Sequence, residues 1–131
     1  MSRILIVDDE KNVLKTLAIG LERSHFTVKR ARTGAEALKI MDEDTCEIVV
    51  SDIRMSPMDG YTLVSRIREK YPWIRIVLIS AYGFDEEKQE KKEQFQYPRL
   101  TKPFSVTDLI SVLHNEQRLY KKDVVDKIGR E

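Results

Sequence analysis

Two hydrophobic patterns alternate along this chain: short unbroken apolar runs, and stripes at helical spacing. Ile4–Val7, Ile48–Val50 and Ile76–Ile79 are continuous apolar runs bounded by charged or turn residues. They place strands at Arg3–Val7, Cys46–Asp52 and Ile74–Ser80 that are buried on both faces of a parallel sheet. Thr27–Ala31 alternates, as expected near an edge, and Arg99–Lys102 follows Pro98, which also favours an edge. Between the strands, Leu14, Leu17, Ala18 and Leu21 form one stripe of a helix over Lys11–Ser24. Thr33-Gly34-Ala35-Glu36 opens a helix carrying Ala37, Leu38 and Met41. Leu63, Val64 and Ile67 line a helix over Tyr61–Lys70 that Pro72 stops. Val106, Leu109, Ile110 and Leu113 line a last helix over Ser105–His114, capped by Ser105 or Thr107. Asp85–Gln94 differs from all of these: its residues favour helix, yet none is apolar, so it has no stripe to bury.

Strands and helices alternating five times predict an α/β fold, a doubly wound parallel sheet with helices on both faces. The order 2-1-3-4-5 puts strands one and three at the centre. The domain is expected over residues 1–116. From 117 to 131 the chain is mostly polar and reads as a C-terminal extension or linker.

Composition narrows the function classes. With 41% apolar residues, 131 residues suffice for one core. The 23 basic and 22 acidic residues leave a net charge of +1, which gives no footprint for nucleic acid or an anionic membrane. The single cysteine, Cys46, forms no internal disulfide and reads as a small buried hydrophobe in a reducing compartment. With no signal-peptide pattern and no apolar run of membrane-spanning length, the expected location is the cytoplasm.

The predicted strand order brings polar residues to one edge of the sheet. Asp8 and Asp9 end strand one beside Asp52 at the end of strand three. Ser80 stands next along, and Lys102 reaches in from strand five. Taken singly, Asp52 caps a loop or does chemistry, Asp8 and Asp9 favour a helix N-terminus, and Ser80 and Lys102 end strands. Together they form an oxygen-only carboxylate cluster suited to a hard cation such as Mg²⁺, with an ammonium and a hydroxyl nearby. Phosphoryl transfer to an aspartate needs that set of groups.

On these residues the chain resembles the receiver domain of bacterial two-component response regulators. The matching positions are Asp8-Asp9, Asp52 with Met55 and Met58-Asp59-Gly60, Ser80-Ala81, and Lys102-Pro103-Phe104. The resemblance implies a flavodoxin-like fold in which Asp52 accepts a phosphoryl group from a histidine kinase or phosphotransfer protein. It implies Mg²⁺ held by Asp8, Asp9, Asp52 and the Arg54 carbonyl, with Ser80 and Lys102 holding the phosphoryl oxygens. It also implies a switch region at Ser80, Tyr82 and Arg99, and leaves open a homodimer through the fourth helix, fifth strand and fifth helix.

Three departures stand out. Ser56 intervenes between Met55 and Pro57, Phe95-Gln96 replaces a glycine-alanine pair, and Arg99 replaces the usual switch aromatic. An arginine is expected to stay on the exposed face, near Glu86, Glu87, Glu90 and Glu93, because turning it inward desolvates a permanent charge. The rival reading is a non-phosphorylated interaction module of the same fold. Its usual sign, a lost aspartate or lysine, is absent. A dehalogenase-type phosphatase would want a second acid two residues after Asp52, where Arg54 stands. A flavin site would want a phosphate loop where Asp8-Asp9-Glu10 would repel phosphate.

Overall fold

The computed structural model describes residues 2–81, 83–85 and 87–129. Its elements are β1 (Arg3–Val7), α1 (Lys11–Arg23), β2 (Thr27–Ala31), α2 (Gly34–Glu43), β3 (Ile48–Asp52), α3 (Gly60–Lys70), β4 (Arg75–Ser80), α4 (Gln89–Gln94), β5 (Arg99–Thr101) and α5 (Val106–Gly129). The strands form one parallel sheet in the order β2-β1-β3-β4-β5, as the alternation predicts.

Successive side chains of a strand point to opposite faces, so the unbroken apolar runs feed two cores. On one face Leu5, Val7, Val49, Ile76 and Leu78 meet Ala37, Met41, Leu63, Val64 and Ile67 of α2 and α3. On the other, Ile4, Ile6, Val50, Val77 and Ile79 meet Leu14, Leu17 and Leu21 of α1 and Leu109 and Leu113 of α5. Each fully buried aliphatic side chain contributes about 1.5–3 kcal/mol. β2 and β5 lie at the edges, where the alternation and Pro98 place them.

Three helix starts are capped as their residue types suggest. Thr33 accepts from the Glu36 N–H (3.1 Å) and Asp59 from the Thr62 N–H (2.8 Å). Ser105 and Asp108 cap reciprocally: the Asp108 N–H donates to the Ser105 hydroxyl (3.0 Å), and the Ser105 N–H donates to the Asp108 carboxylate (3.2 Å).

The last two helices depart from expectation in opposite directions. α4 is only six residues long, Gln89–Gln94, and buries none of them. α5 continues past His114 to Gly129, through the stretch read as a polar extension. Its buried stripe runs Leu113, Glu116, then the half-buried Tyr120 and Val124. Glu116 is 1% exposed and held by Arg75, at the start of β4, which donates to it from Nε (2.7 Å) and reaches Asp123 two helical turns further on (3.4 Å). A glutamate in the middle of a helical stripe hides it from a hydrophobicity reading.

Candidate functional site

Strand register assembles the site. Val7 pairs with Ala31 and with Ser51, Asp52 with Ile79, and Ser80 with Thr101, so the C-terminal ends of the strands lie level. Three backbone bonds carry the ladders one residue past the strands. The Asp8 N–H donates to the Ala31 carbonyl (3.1 Å), Ile53 to Ile79 (2.9 Å) and Lys102 to Ser80 (2.8 Å). The residues that follow each apolar run are therefore fixed by the sheet itself.

Lys102 is the centre of the arrangement. Its ammonium lies 2.7 Å from Asp8 Oδ2, 3.0 Å from Asp52 Oδ2 and 3.6 Å from Glu10 Oε1. The remaining carboxylate oxygens are occupied by backbone: Asp8 Oδ1 accepts from the Glu10 N–H and Asp52 Oδ1 from the Arg54 N–H, both at 2.9 Å. Asp8 is 1% exposed and Asp52 4%. Burial pushes the Asp52 carboxyl above its usual range, and the Asp8 charge adds to that. The Arg54 N–H and Lys102 pull the other way without cancelling it. For Lys102, burial pulls the ammonium down, but its bonds to Asp8 and Asp52 and their charges outweigh this and hold it protonated.

The loop after β3 is held tight by Gly60. Its N–H donates to the Ile53 carbonyl (3.0 Å), and a Cβ there would stand 2.3 Å from the Asp52 carbonyl oxygen. Only glycine lets the start of α3 close against the backbone of Asp52.

Asp8, Asp9 and Glu10 place one carboxylate oxygen each within 4.8 Å of one another. Three carboxylates, those of Asp8, Glu10 and Asp52, thus face one ammonium, with Asp9 beside the first two. A hard divalent cation fits this all-oxygen donor set. Glu10 was not among the expected site residues; its place as N-cap of α1, directly after Asp8-Asp9, was the available signal. Ser80 is fully buried at the end of β4, and Arg54 is exposed on the loop beside Asp52. Tyr82 and Glu86 lie outside the described residues.

Arg99 is corrected in one respect. It is half-buried, at 21% side-chain exposure, rather than on the open face. One of its expected acidic partners makes this tolerable. Arg99 Nε donates to Glu87 Oε1 (3.1 Å), Nη2 lies 3.0 Å from the same oxygen, and Nη1 donates to the Tyr97 carbonyl (2.9 Å). The guanidinium also sits 5.3 Å from the Phe84 ring centre.

Comparison with known proteins agrees with this geometry. A model of the response regulator receiver domain matches residues 4–114. The transcriptional regulatory protein GlrR of Escherichia coli is 31% identical, over 78% of this chain and 23% of that protein. The sensor kinase CckA of Brucella abortus is 34% identical, over 92% of this chain and 13% of that protein. The chain therefore spans a quarter or less of these relatives' length. Among solved structures, NtrX from Brucella abortus superposes with a TM-score of 0.87 at 26% identity, over 97% of this chain and 30% of that one. Chemotaxis protein CheY4 of Vibrio cholerae gives 0.81 at 27%, over 88% of this chain and 98% of that one.

Proposed function

The chain belongs to the response regulator receiver domain family, and on that premise we propose that Asp52 accepts a phosphoryl group from a histidine kinase or phosphotransfer protein. The observation that carries the reading is the Lys102 ammonium held between two buried carboxylates, Asp8 at 2.7 Å and Asp52 at 3.0 Å. A carboxylate oxygen of Asp52 attacks phosphorus in line. The new O–P bond forms as the N–P bond to the donor histidine breaks, and the imidazole leaves with that electron pair and takes a proton from solvent. Lys102 and the Ser80 hydroxyl hold the phosphoryl oxygens as charge builds on them.

Asp8, Asp9, Asp52 and the Arg54 carbonyl would hold Mg²⁺, with Glu10 at hand. The ion, when bound, neutralises phosphoryl charge. On this reading the chain catalyses only its own phosphorylation and dephosphorylation, in the cytoplasm, and acts as a switch for an output. Among the described residues no helix is long and apolar enough to cross a membrane. A cavity of about 350 Å³ beside Lys102, lined by Val13, Leu17, Pro103 and Phe104, offers the donor protein an apolar resting surface. The edge of β5, between α4 and α5, is where a second copy would pair.

Acetyl phosphate with Mg²⁺ tests the reading by intact mass. Wild type is expected to gain one phosphoryl group that Asp52→Asn and chelated samples do not. Equal labelling of wild type and Asp52→Asn overturns it.

A further inference from the structure

A half-buried polar cluster of Tyr61, Glu87 and Arg99 lies near the loops after β3 and β4 and plays no part in the chemistry proposed for Asp52. Glu87 stands in a run with no apolar residue, yet its side chain is only 3% exposed. Its Oε1 takes Arg99, and its Oε2 accepts a hydrogen bond from the Tyr61 hydroxyl. Burial, then the Glu87 carboxylate, pushes the Tyr61 hydroxyl far up, so it stays a donor. The Tyr61 ring packs on Phe95, 4.8 Å between centres, and the Lys91 ammonium lies 5.0 Å from the Tyr61 ring and 5.4 Å from that of Phe95.

This cluster is what holds α4. No residue of α4 is buried, so apolar packing does not fix the helix. It is pinned at its two ends, by Glu87 before it and by Phe95 (4% exposed) after it.

The three polar partners also come from the three segments that carry the site. Tyr61 follows Asp52 through the loop into α3, Glu87 follows Ser80 through the loop into α4, and Arg99 precedes Lys102 on β5. Phosphorylation adds charge at Asp52 and draws on Lys102 and Ser80, which sit on two of those segments. A cavity of about 310 Å³ lies between the loops, bordered by Arg54, Gly83, Glu87 and Lys88, and Gly83 has the left-handed φ of 74°. Hydrogen bonds weaken steeply with distance and angle, so a shift of either loop breaks the Glu87 contacts rather than stretching them.

We propose that Tyr61, Glu87 and Arg99 form a latch that is closed in the unphosphorylated protein and opens when Asp52 is phosphorylated, releasing α4. The inference rests on phosphorylation of Asp52 as proposed above. Coupling of this kind is reciprocal: if phosphorylation opens the latch, a variant that cannot close it binds a phosphoryl mimic more tightly.

The test uses Mg²⁺ and beryllofluoride on wild type, Tyr61→Phe and Glu87→Gln. Fluorine NMR reads site occupancy, and amide exchange over residues 89–95 reads the latch. Tyr61→Phe keeps the ring on Phe95 and removes only the hydroxyl, so it stands if Glu87→Gln folds poorly. In wild type, occupancy is expected to speed α4 exchange at least about fivefold. In the variants α4 is fast with or without the mimic, and half-saturation occurs at a concentration about fivefold lower or less. A bound fluorine signal with unchanged α4 exchange in wild type overturns the latch alone. So does wild-type half-saturation in Tyr61→Phe. Absence of a bound signal in wild type overturns the Asp52 reading, and the latch with it.

Discussion

Replacing Lys102 by methionine keeps most of the side chain's bulk but removes the ammonium 2.7 Å from Asp8 and 3.0 Å from Asp52. Two carboxylates, 1% and 4% exposed, then lose the cation between them and keep the Glu10 and Arg54 backbone N–H donors. Breaking a buried ion pair by removing one partner costs about 3–5 kcal/mol. An upper limit follows from protonation. A carboxyl with an ordinary pKa of 3.8 can be neutralised at pH 7 for about 4 kcal/mol, and beyond that cost it takes up a proton instead. The expected loss in metal-free buffer at pH 7 is therefore about 3–4 kcal/mol. The sign with pH follows from linkage. Removing the ammonium raises the Asp52 pKa in the folded protein further above its unfolded value. The favourable neutral state is then complete only below the unfolded value and is lost as pH rises through the raised one. The deficit of Lys102→Met relative to wild type should shrink as pH falls from 7 toward 4. Urea unfolding at several pH values with chelator present measures this. A deficit below about 1 kcal/mol at pH 7, or one that does not change with pH, would refute the reasoning.

Further outcomes are expected elsewhere in the molecule. Gly60→Ala puts a methyl 2.3 Å from the Asp52 carbonyl oxygen, a backbone atom that cannot swing aside. Urea midpoints should report a loss of about 2 kcal/mol or more, and acetyl phosphate labelling should slow as Asp52 is displaced. Arg75→Met strands Glu116 at 1% exposure and should cost about 3 kcal/mol by the same unfolding assay; a loss within about 0.5 kcal/mol would mean the pair does not anchor α5. In the free protein, amides of Gln89–Gln94 should exchange faster than those around Leu109 and Leu113, because α4 buries nothing. Equal protection of the two helices would contradict this.

How much could be read from residues alone depended on the range of the interaction. β1, β3 and β4 were legible because a strand buried on both faces must be apolar throughout. Their order then brought Asp8, Asp52, Ser80 and Lys102 to one edge. Register and the glycine-sealed loop did the rest, and both are backbone geometry that strand ends imply. The burial of Arg99 was not legible, since its stabilising partner, Glu87, lies across a loop in a run that looks uniformly solvated. The continuation of α5 was hidden for a related reason. Its stripe passes through Glu116, whose burial depends on Arg75 from a different element. In both cases a charge is buried against a partner distant in sequence, which local hydrophobicity cannot register. Helix propensity was read over Asp85–Gln94, and among the described residues the helix spans Gln89–Gln94, consistent with propensity unsupported by packing.

The central claim is that one carboxylate, Asp52, receives the phosphoryl group while its acidic neighbours do not. Borohydride reduction settles this directly, because it converts an acyl phosphate to homoserine and leaves free carboxylates alone. After treatment with acetyl phosphate and Mg²⁺, reduction and peptide mapping should place homoserine at Asp52 and nowhere in Asp8-Asp9-Glu10. Homoserine at Asp8, Asp9 or Glu10, or none at all, would contradict the account.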